Sequence, residues 1–235
     1  MHQIDEIWTS APFYGSRKIA KELSRRNGTP VNRKRVRRLM RVMGIEAIYP
    51  KPKTSIPNHQ HRVYPYLLTG LSITRPNQVW GIDITYIRMH QSWLYLAALM
   101  DWFSRRVLSW ELSDRLEAEF CIRTLEEALN QALPDIHNSD QGSQFTADEY
   151  LAILQAYPDI KISMDGRGRA FDNIFNERLW RSVKQEEVYL KDYTSFKQAK
   201  ESLAGYLNFY NQERIHQSLG YRTPAELYFG KQTDN

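Results

Sequence analysis

The apolar residues of this chain change period once, near residue 114, and that change restricts the fold more than any other feature. Between 79 and 112 they form three short runs, 79–88, 93–101 and 106–112, rich in Ile, Tyr, Trp, Val and Leu and broken at His90-Gln-Ser92; this pattern predicts an antiparallel meander. Beyond it Leu116, Phe120, Thr124, Leu125 and Ala128 recur at helical spacing, and Asp114 with Glu117 offers a capping box. A short strand ending near Asp140, a helix over 146–156, a strand over 160–164 and a helix over 172–187 follow. Phe196, Ala199, Leu203, Tyr206, Leu207 and Tyr210 mark one more amphipathic helix, capped near Thr194. Three strands followed by alternating helices and strands predict an α/β layer with a mixed sheet covered on both faces.

The N-terminal part reads differently. Residues 1–48 are helical and basic, and 49–77, with Pro50, Pro52, Pro57, Pro65 and Pro76, predict an extended linker because proline fixes φ and removes a donor. The larger domain then spans 78–190, and 191–235 form a helical C-terminal extension. In the arm, Ile19 and Leu23 share a helical face, Gly28-Thr-Pro-Val31 breaks the pattern, and Asn32 is a good N-cap for a second helix. That helix buries Val36, Leu39, Met40 and Met43 and leaves Arg33, Lys34, Arg37, Arg38 and Arg41 for water or phosphate. Two short helices across a Gly-containing turn suggest a helix-turn-helix on DNA, or else a helical hairpin that only packs.

Charge sharpens this division. The net charge is +5, yet residues 1–65 hold 14 Lys and Arg against 4 Asp and Glu, so the remainder is mildly acidic. A basic arm on an acidic domain is the asymmetry of a nucleic-acid-binding module attached to something else. A single cysteine, Cys121, excludes a disulfide framework and a multi-cysteine zinc site, and falls where a small core residue is expected. The opening Met1-His-Gln-Ile-Asp-Glu-Ile-Trp8 lacks the basic and apolar regions of a signal peptide, and the apolar run 94–100 is too short for a bilayer. A cytoplasmic protein without a membrane partner is expected.

Three acids carry the chemical information. Asp83 lies mid-strand in Trp80-Gly-Ile-Asp-Ile-Thr-Tyr-Ile87, on one face with Thr85 and Ile87. An Asp in so apolar a strand needs a partner, which can be a metal ion or hydrogen-bond donors. Asp140 follows a short strand in Ser139-Asp-Gln-Gly-Ser143, at the carboxyl edge of the sheet where open α/β folds bind ligands; Asp-x-Gly turns also arise for local reasons. Glu177, Arg181 and Lys184 share a helical face, suited to a metal and a DNA backbone or to a surface salt bridge between Glu177 and Arg181. Arg167 and Arg169, in Gly166-Arg-Gly-Arg169, fit a loop lying along phosphates or a plain connection. Carboxylates scattered along a sequence but held on rigid elements are what two hard cations need. Asp101 beside Arg105 and Arg106, explained by an ion pair, and a packed His137 are decoys, while Arg214 and His216 suit a structural closing of the last helix.

Together these residues resemble the insertion-sequence transposases encoded by a second, OrfB-type reading frame, with a DDE retroviral-integrase-like core. The likeness runs through Pro12-Phe-Tyr-Gly-Ser16, Val31-Asn-Arg-Lys-Arg-Val-Arg-Arg-Leu-Met40, Asp83-Ile-Thr-Tyr-Ile87, Asn138-Ser-Asp-Gln-Gly-Ser-Gln-Phe145, Asp172-Asn with Glu177-Arg178, and Tyr210 to Pro224. It implies an RNase H-like mixed five-stranded sheet flanked by helices, preceded by a small all-α helix-turn-helix arm. It also implies Asp83, Asp140 and Glu177 as catalytic metal ligands for two Mg²⁺ or Mn²⁺ ions, with Arg181 and Lys184 facing DNA. The activity implied is cleavage and strand transfer of transposon ends into target DNA, by a homo-oligomer at the bacterial nucleoid. In that family the first reading frame supplies an end-recognising module and a zipper, so its product or a fusion with it is an expected partner. A nuclease that cuts without joining, or a silent DNA-binding accessory protein, would share parts of this pattern.

Overall fold

The computed structural model describes residues 1–48, 64–166 and 173–230, and the chain divides into two compact units, Met1–Asn58 and His59–Asn235. Arg167 and Arg169 lie outside the described residues, as does the first half of the proline-rich segment.

In the first unit α1 (His2–Ser10), α2 (Ser16–Asn27) and α3 (Arg33–Val42) enclose a small core of Ile4, Ile7, Ile19, Ala20, Leu23, Val36 and Met40. Gly28, at φ 67°, ends α2 in the left-handed conformation that glycine reaches without strain. Asn32 then caps α3, its side-chain oxygen accepting from Lys34 N–H at 2.8 Å. Leu39 and Met43 are half-buried, and Arg33, Lys34, Arg37, Arg38 and Arg41 stand exposed on the other faces.

The second unit is built on a five-stranded sheet in the order β3-β2-β1-β4-β5. β1 (Val79–Arg88), β2 (Trp93–Asp101) and β3 (Val107–Ser113) form the antiparallel meander, while β4 (Ile136–Ser139) and β5 (Lys161–Met164) add in parallel beside β1. Between them run α4 (Glu119–Leu129) and α5 (Asp148–Gln155), followed by α6 (Ile174–Glu186), α7 (Phe196–Gln212) and α8 (Pro224–Phe229). One face of the sheet, with Trp80, Ile82, Ala97 and Leu99, packs on Phe120, Cys121 and Leu125 of α4 and Tyr150 and Leu154 of α5. The other, with Val79, Ile87, Leu96 and Ala98, packs on Leu179 and Val183 of α6 and Leu203 and Leu207 of α7. Each fully buried Leu, Ile or Phe here contributes roughly 1.5–3 kcal/mol.

Three local expectations change. Asp114 and Glu117 do not cap α4, which starts at Glu119 with no side-chain cap; Arg115 N–H instead bonds Ser113 Oγ, so the chain turns before the helix begins. Ser195, one residue past the expected Thr194, caps α7 by accepting from Gln198 N–H. The described end of the proline-rich segment carries no helix or strand, yet it is not free, since Leu68 is buried in the core and Leu67 N–H bonds Ser163 Oγ.

Candidate active site

The site forms where parallel strands part. β1 and β4 pair only over Val79↔Ile136, Trp80↔His137 and Gly81↔Asn138. Asp83 and Asp140 each lie two residues beyond the last pair, so the pleat sends both carboxylates to one side at neighbouring heights. On the other flank β4 and β5 end at Ser139↔Met164, and Asp165 follows, its N–H donating to Ser139 C=O at 2.9 Å. Asp140 and Asp165 therefore follow the carboxyl ends of β4 and β5, level with Asp83 in the middle of β1 where that strand outruns β4.

Asp83 is the most constrained of them. Oδ1 accepts from Ile84 N–H and Oδ2 from Trp180 Nε1, both at 2.8 Å. Burial pushes its carboxyl up to about 6; those two hydrogen bonds oppose the rise, and the charges of Asp140 and Asp165 add to it. Asp140 presents part of its side chain to solvent, yet burial of the remainder still lifts its carboxyl, against a 2.8 Å bond from Gly142 N–H to Oδ1. Asp165 accepts from Asn138 Nδ2 at 2.8 Å.

Glu177 stands exposed in the first turn of α6, where a carboxylate suits the helix N-terminus. It is one turn before Trp180, whose indole reaches Asp83, so the two positions are neighbours on the helix surface. No ion pair joins Glu177 to Arg181 among the described residues, which removes the salt-bridge explanation of that face. Arg181 is exposed and Lys184 half-buried. The structure thus brings Asp83 and Asp140 together and leaves Glu177 exposed on α6, one turn from the indole that bonds Asp83. Among the described residues no three His, Cys, Asp or Glu side chains are arranged to hold a metal ion.

The decoys resolve on inspection of their partners. Asp101 is fully buried, but its donors are Asn77 N–H, Ser104 N–H and Ser104 Oγ at 2.7 to 2.8 Å, so hydrogen bonds and not the expected ion pair explain it. His137 is buried, bonds Tyr150 OH through Nε2 at 2.9 Å and is pulled down to about 3 by burial, a neutral core residue. Arg214 grips Glu186 through two hydrogen bonds of 2.8 and 2.6 Å, tying the chain after α7 to the end of α6. A groove of about 690 Å³ lined by Trp102, Arg105, Phe175, Leu219 and Arg222 lies elsewhere and includes none of the three acids.

Sequence reasoning missed Trp180 and Asp165. Trp180 reads as a core residue, which it is, and only its indole N–H reveals the second role. Asp165 had a usable signal, because it follows β5 as Asp140 follows β4.

The donors suit a hard cation. They are carboxylate oxygens on rigid elements, Asp83 is desolvated beside two like charges, and no cation figures among the groups that perturb it.

Comparison with known proteins agrees with this geometry. An integrase core domain matches residues 73–170, a second integrase core domain model matches 158–224, and an HTH-like domain matches 1–53. The uncharacterized 31 kDa protein of insertion element IS600 from Shigella sonnei is 32% identical over 90% of this chain and 80% of its own length. The transposase of insertion sequence IS904 from Lactococcus lactis is 30% identical over 91% of this chain and 87% of its own. Among solved structures, the HTLV-2 integrase catalytic core domain, in complex with magnesium, superimposes with a TM-score of 0.54 at 22% identity, over 66% of this chain and 97% of that one. The sheet of this chain is accordingly the RNase H-like sheet of retroviral integrase cores. No described helix is long and apolar enough to cross a membrane. The chain belongs to the insertion-sequence transposases, DDE polynucleotidyl transferases that cleave DNA and transfer its strands.

Proposed function

We propose that Asp83, Asp140 and Glu177 are the catalytic acids of this transposase and that they hold two Mg²⁺ or Mn²⁺ ions. The observation that carries the reading is the half-buried Asp83 carboxylate beside the more exposed Asp140 where β1 and β4 separate, each raised by burial. When bound, such ions activate the attacking oxygen and stabilise the leaving 3′ oxygen of an in-line phosphoryl transfer. The chain's own residues position that chemistry. Trp180 fixes the Asp83 carboxylate by its indole N–H, Gly142 N–H fixes Asp140, and α6 offers Glu177 from the open side.

Arg181 and Lys184, one and two turns further along the same face, brace the DNA backbone as it leaves the acids. Arg167 and Arg169 are given the same task on sequence grounds. In the N-terminal unit the exposed Arg33, Lys34, Arg37, Arg38 and Arg41 contact phosphates, and their affinity falls with salt as counterions are released. Because two transposon ends must be held at once, the working form is a homo-oligomer on DNA, acting in the cytoplasm at the nucleoid. The first-reading-frame product, or a fusion with it, supplies further end recognition.

The test is strand transfer of a labelled, pre-cleaved terminal-repeat oligonucleotide into plasmid DNA with Mg²⁺, Mn²⁺ or EDTA, using the chain alone and its first-frame fusion. Metal-dependent joined products that vanish with Glu177→Gln are expected. Nicking without joining, even by the fusion, would replace the transferase reading with that of a nuclease.

A further inference from the structure

The first turn of α6 is fastened to β1 at a point the acids do not explain. Asn176, adjacent to Glu177 and fully buried, donates from Nδ2 to Gly81 C=O at 3.1 Å and accepts at Oδ1 from Trp102 Nε1 at 2.9 Å. Indole is only a donor and a carbonyl only an acceptor, so the two partners leave the amide one orientation. One helical turn later Trp180 Nε1 bonds Asp83 Oδ2. Positions 176 and 180 on α6 thereby grip positions 81 and 83 on β1, and the spacing of four on a helix meets the spacing of two on a strand, about 6 Å on both elements.

Gly81 belongs to this fastening. A Cβ there would stand 2.8 Å from Asn176 Oδ1 and collide with the Trp102 indole. The close approach of α6 to the strand therefore needs glycine at that position. Gly81 is also the last residue of β1 paired with β4, two residues before Asp83.

We infer that Asn176 is a positioning residue for strand transfer: with Gly81 and Trp102 it locks the register of α6 against β1 and so sets the height of Glu177 relative to Asp83. It touches no reacting atom and acts through Glu177, so the inference rests on the proposed role of that acid. Leu179 and Val183 hold α6 on the sheet without fixing its register, and Asn176 adds to the Trp180 bond a second polar contact in the first turn. A buried amide with a partner at each end suits this task, because its loss leaves both Trp102 N–H and Gly81 C=O without these bonds.

The decisive variant is Asn176→Asp in the full chain. It keeps the volume and the acceptor for Trp102 but sets a carboxylate oxygen against Gly81 C=O, so the grip on β1 is lost while the core stays filled. In single-turnover strand transfer with pre-cleaved terminal-repeat DNA, the expected result is a joining rate at least 10-fold lower and a half-saturating Mn²⁺ concentration at least 3-fold higher. Affinity for the same DNA should stay within 2-fold. A role in folding alone would lower the soluble yield or Tm without moving the metal requirement of the folded fraction. Because a buried acid can take up a proton and donate to Gly81 C=O in the amide's place, Asn176→Ala, which removes the amide without adding charge, is run beside it and decides where the two differ. Glu177→Gln is run alongside. Joining retained by Glu177→Gln overturns the assignment of that acid and the lock with it. Joining lost by Glu177→Gln but kept by the Asn176 variant at the parental rate and metal requirement overturns the lock alone.

Discussion

Two aspartates on paired strands, Asp101 buried and Asp83 half-buried, have opposite surroundings. Asp101, opposite Trp80 at the end of β2, is held by three hydrogen bonds, one from Asn77 N–H and two from Ser104. Asp83, opposite Ala98, receives one bond from its own neighbour and one from Trp180, and stands beside Asp140 and Asp165. Burial raises both carboxyls. Asp101 brings its donors with it and closes a turn. The charges nearest Asp83 are of its own sign, an arrangement that favours the fold only when something positive arrives. Burial alone does not mark a functional acid; burial with like-charged neighbours and too few donors does.

The comparison breaks first on chemistry. Asp83→Asn and Asp140→Asn remove ligand charge with little change of shape and should each lower the joining rate at least 10³-fold, about 4 kcal/mol of transition-state stabilisation, with DNA affinity retained. Asp101→Asn should leave the joining rate of folded protein within about 3-fold. Substantial joining by Asp140→Asn, measured on the same pre-cleaved ends, would mean that the paired carboxylates are structural after all. At Asp101 the loss appears as stability instead. An amide there turns a donor toward Asn77 N–H or Ser104, and unfolding in urea should show a cost of about 2 kcal/mol.

Asp83 could be singled out from the sequence because an acid inside an apolar strand conflicts with everything around it. The fold was equally legible, since the change from strand to helical period carries the meander and the layers that follow. The partners were not. That Trp180 bonds Asp83, or that Ser104 rather than Arg105 satisfies Asp101, depends on side chains meeting 97 and 3 residues apart, and no local pattern encodes the first. The start of α4 was misplaced for a related reason: Asp114 and Glu117 carry the right spacing for a capping box, but Ser113 takes the nearby N–H first. Asn176 left no trace, as an Asn before an acid on a helix ordinarily faces water.

A smaller effect sharpens the contrast on the donor side. Trp180→Phe keeps the ring in the core and deletes the one side-chain donor to Asp83, so the carboxylate gains freedom and its charged form loses support. The joining rate should fall about 10-fold, as one charge-assisted hydrogen bond is worth roughly 1.5–3 kcal/mol, with the shortfall reduced at higher Mn²⁺. A Phe variant that joins at the parental rate at every metal concentration would remove Trp180 from the site.

The smallest effect separates the charges themselves, in EDTA and without DNA. The folded-state carboxyl of Asp83, near 6, lies above its ordinary value of 3.8, so between those values the folded protein binds more protons than the unfolded chain. The Asp83 contribution to stability must then fall as pH rises from about 4 to 6 and level off above, while His137 and His216, pulled down to about 3 and about 4, contribute the opposite slope over the same window. The side chain is partly exposed, so the share due to Asp83 is about 1–2 kcal/mol, below the full linkage value. Asp83→Asn forfeits one of the two acceptor oxygens at every pH alike, and the difference in slope therefore isolates the charge: the variant should gain stability relative to the parent as pH rises across this window. Asp101→Asn should remove less of the slope, its three donors having already offset most of the burial. Millimolar Mn²⁺ should raise the parental Tm above pH 6 and leave Asp83→Asn unmoved. A parent and an Asp83→Asn variant whose stabilities run parallel from pH 4 to 6 would show that Asp83 is as well compensated as Asp101, and the contrast between the two acids would disappear.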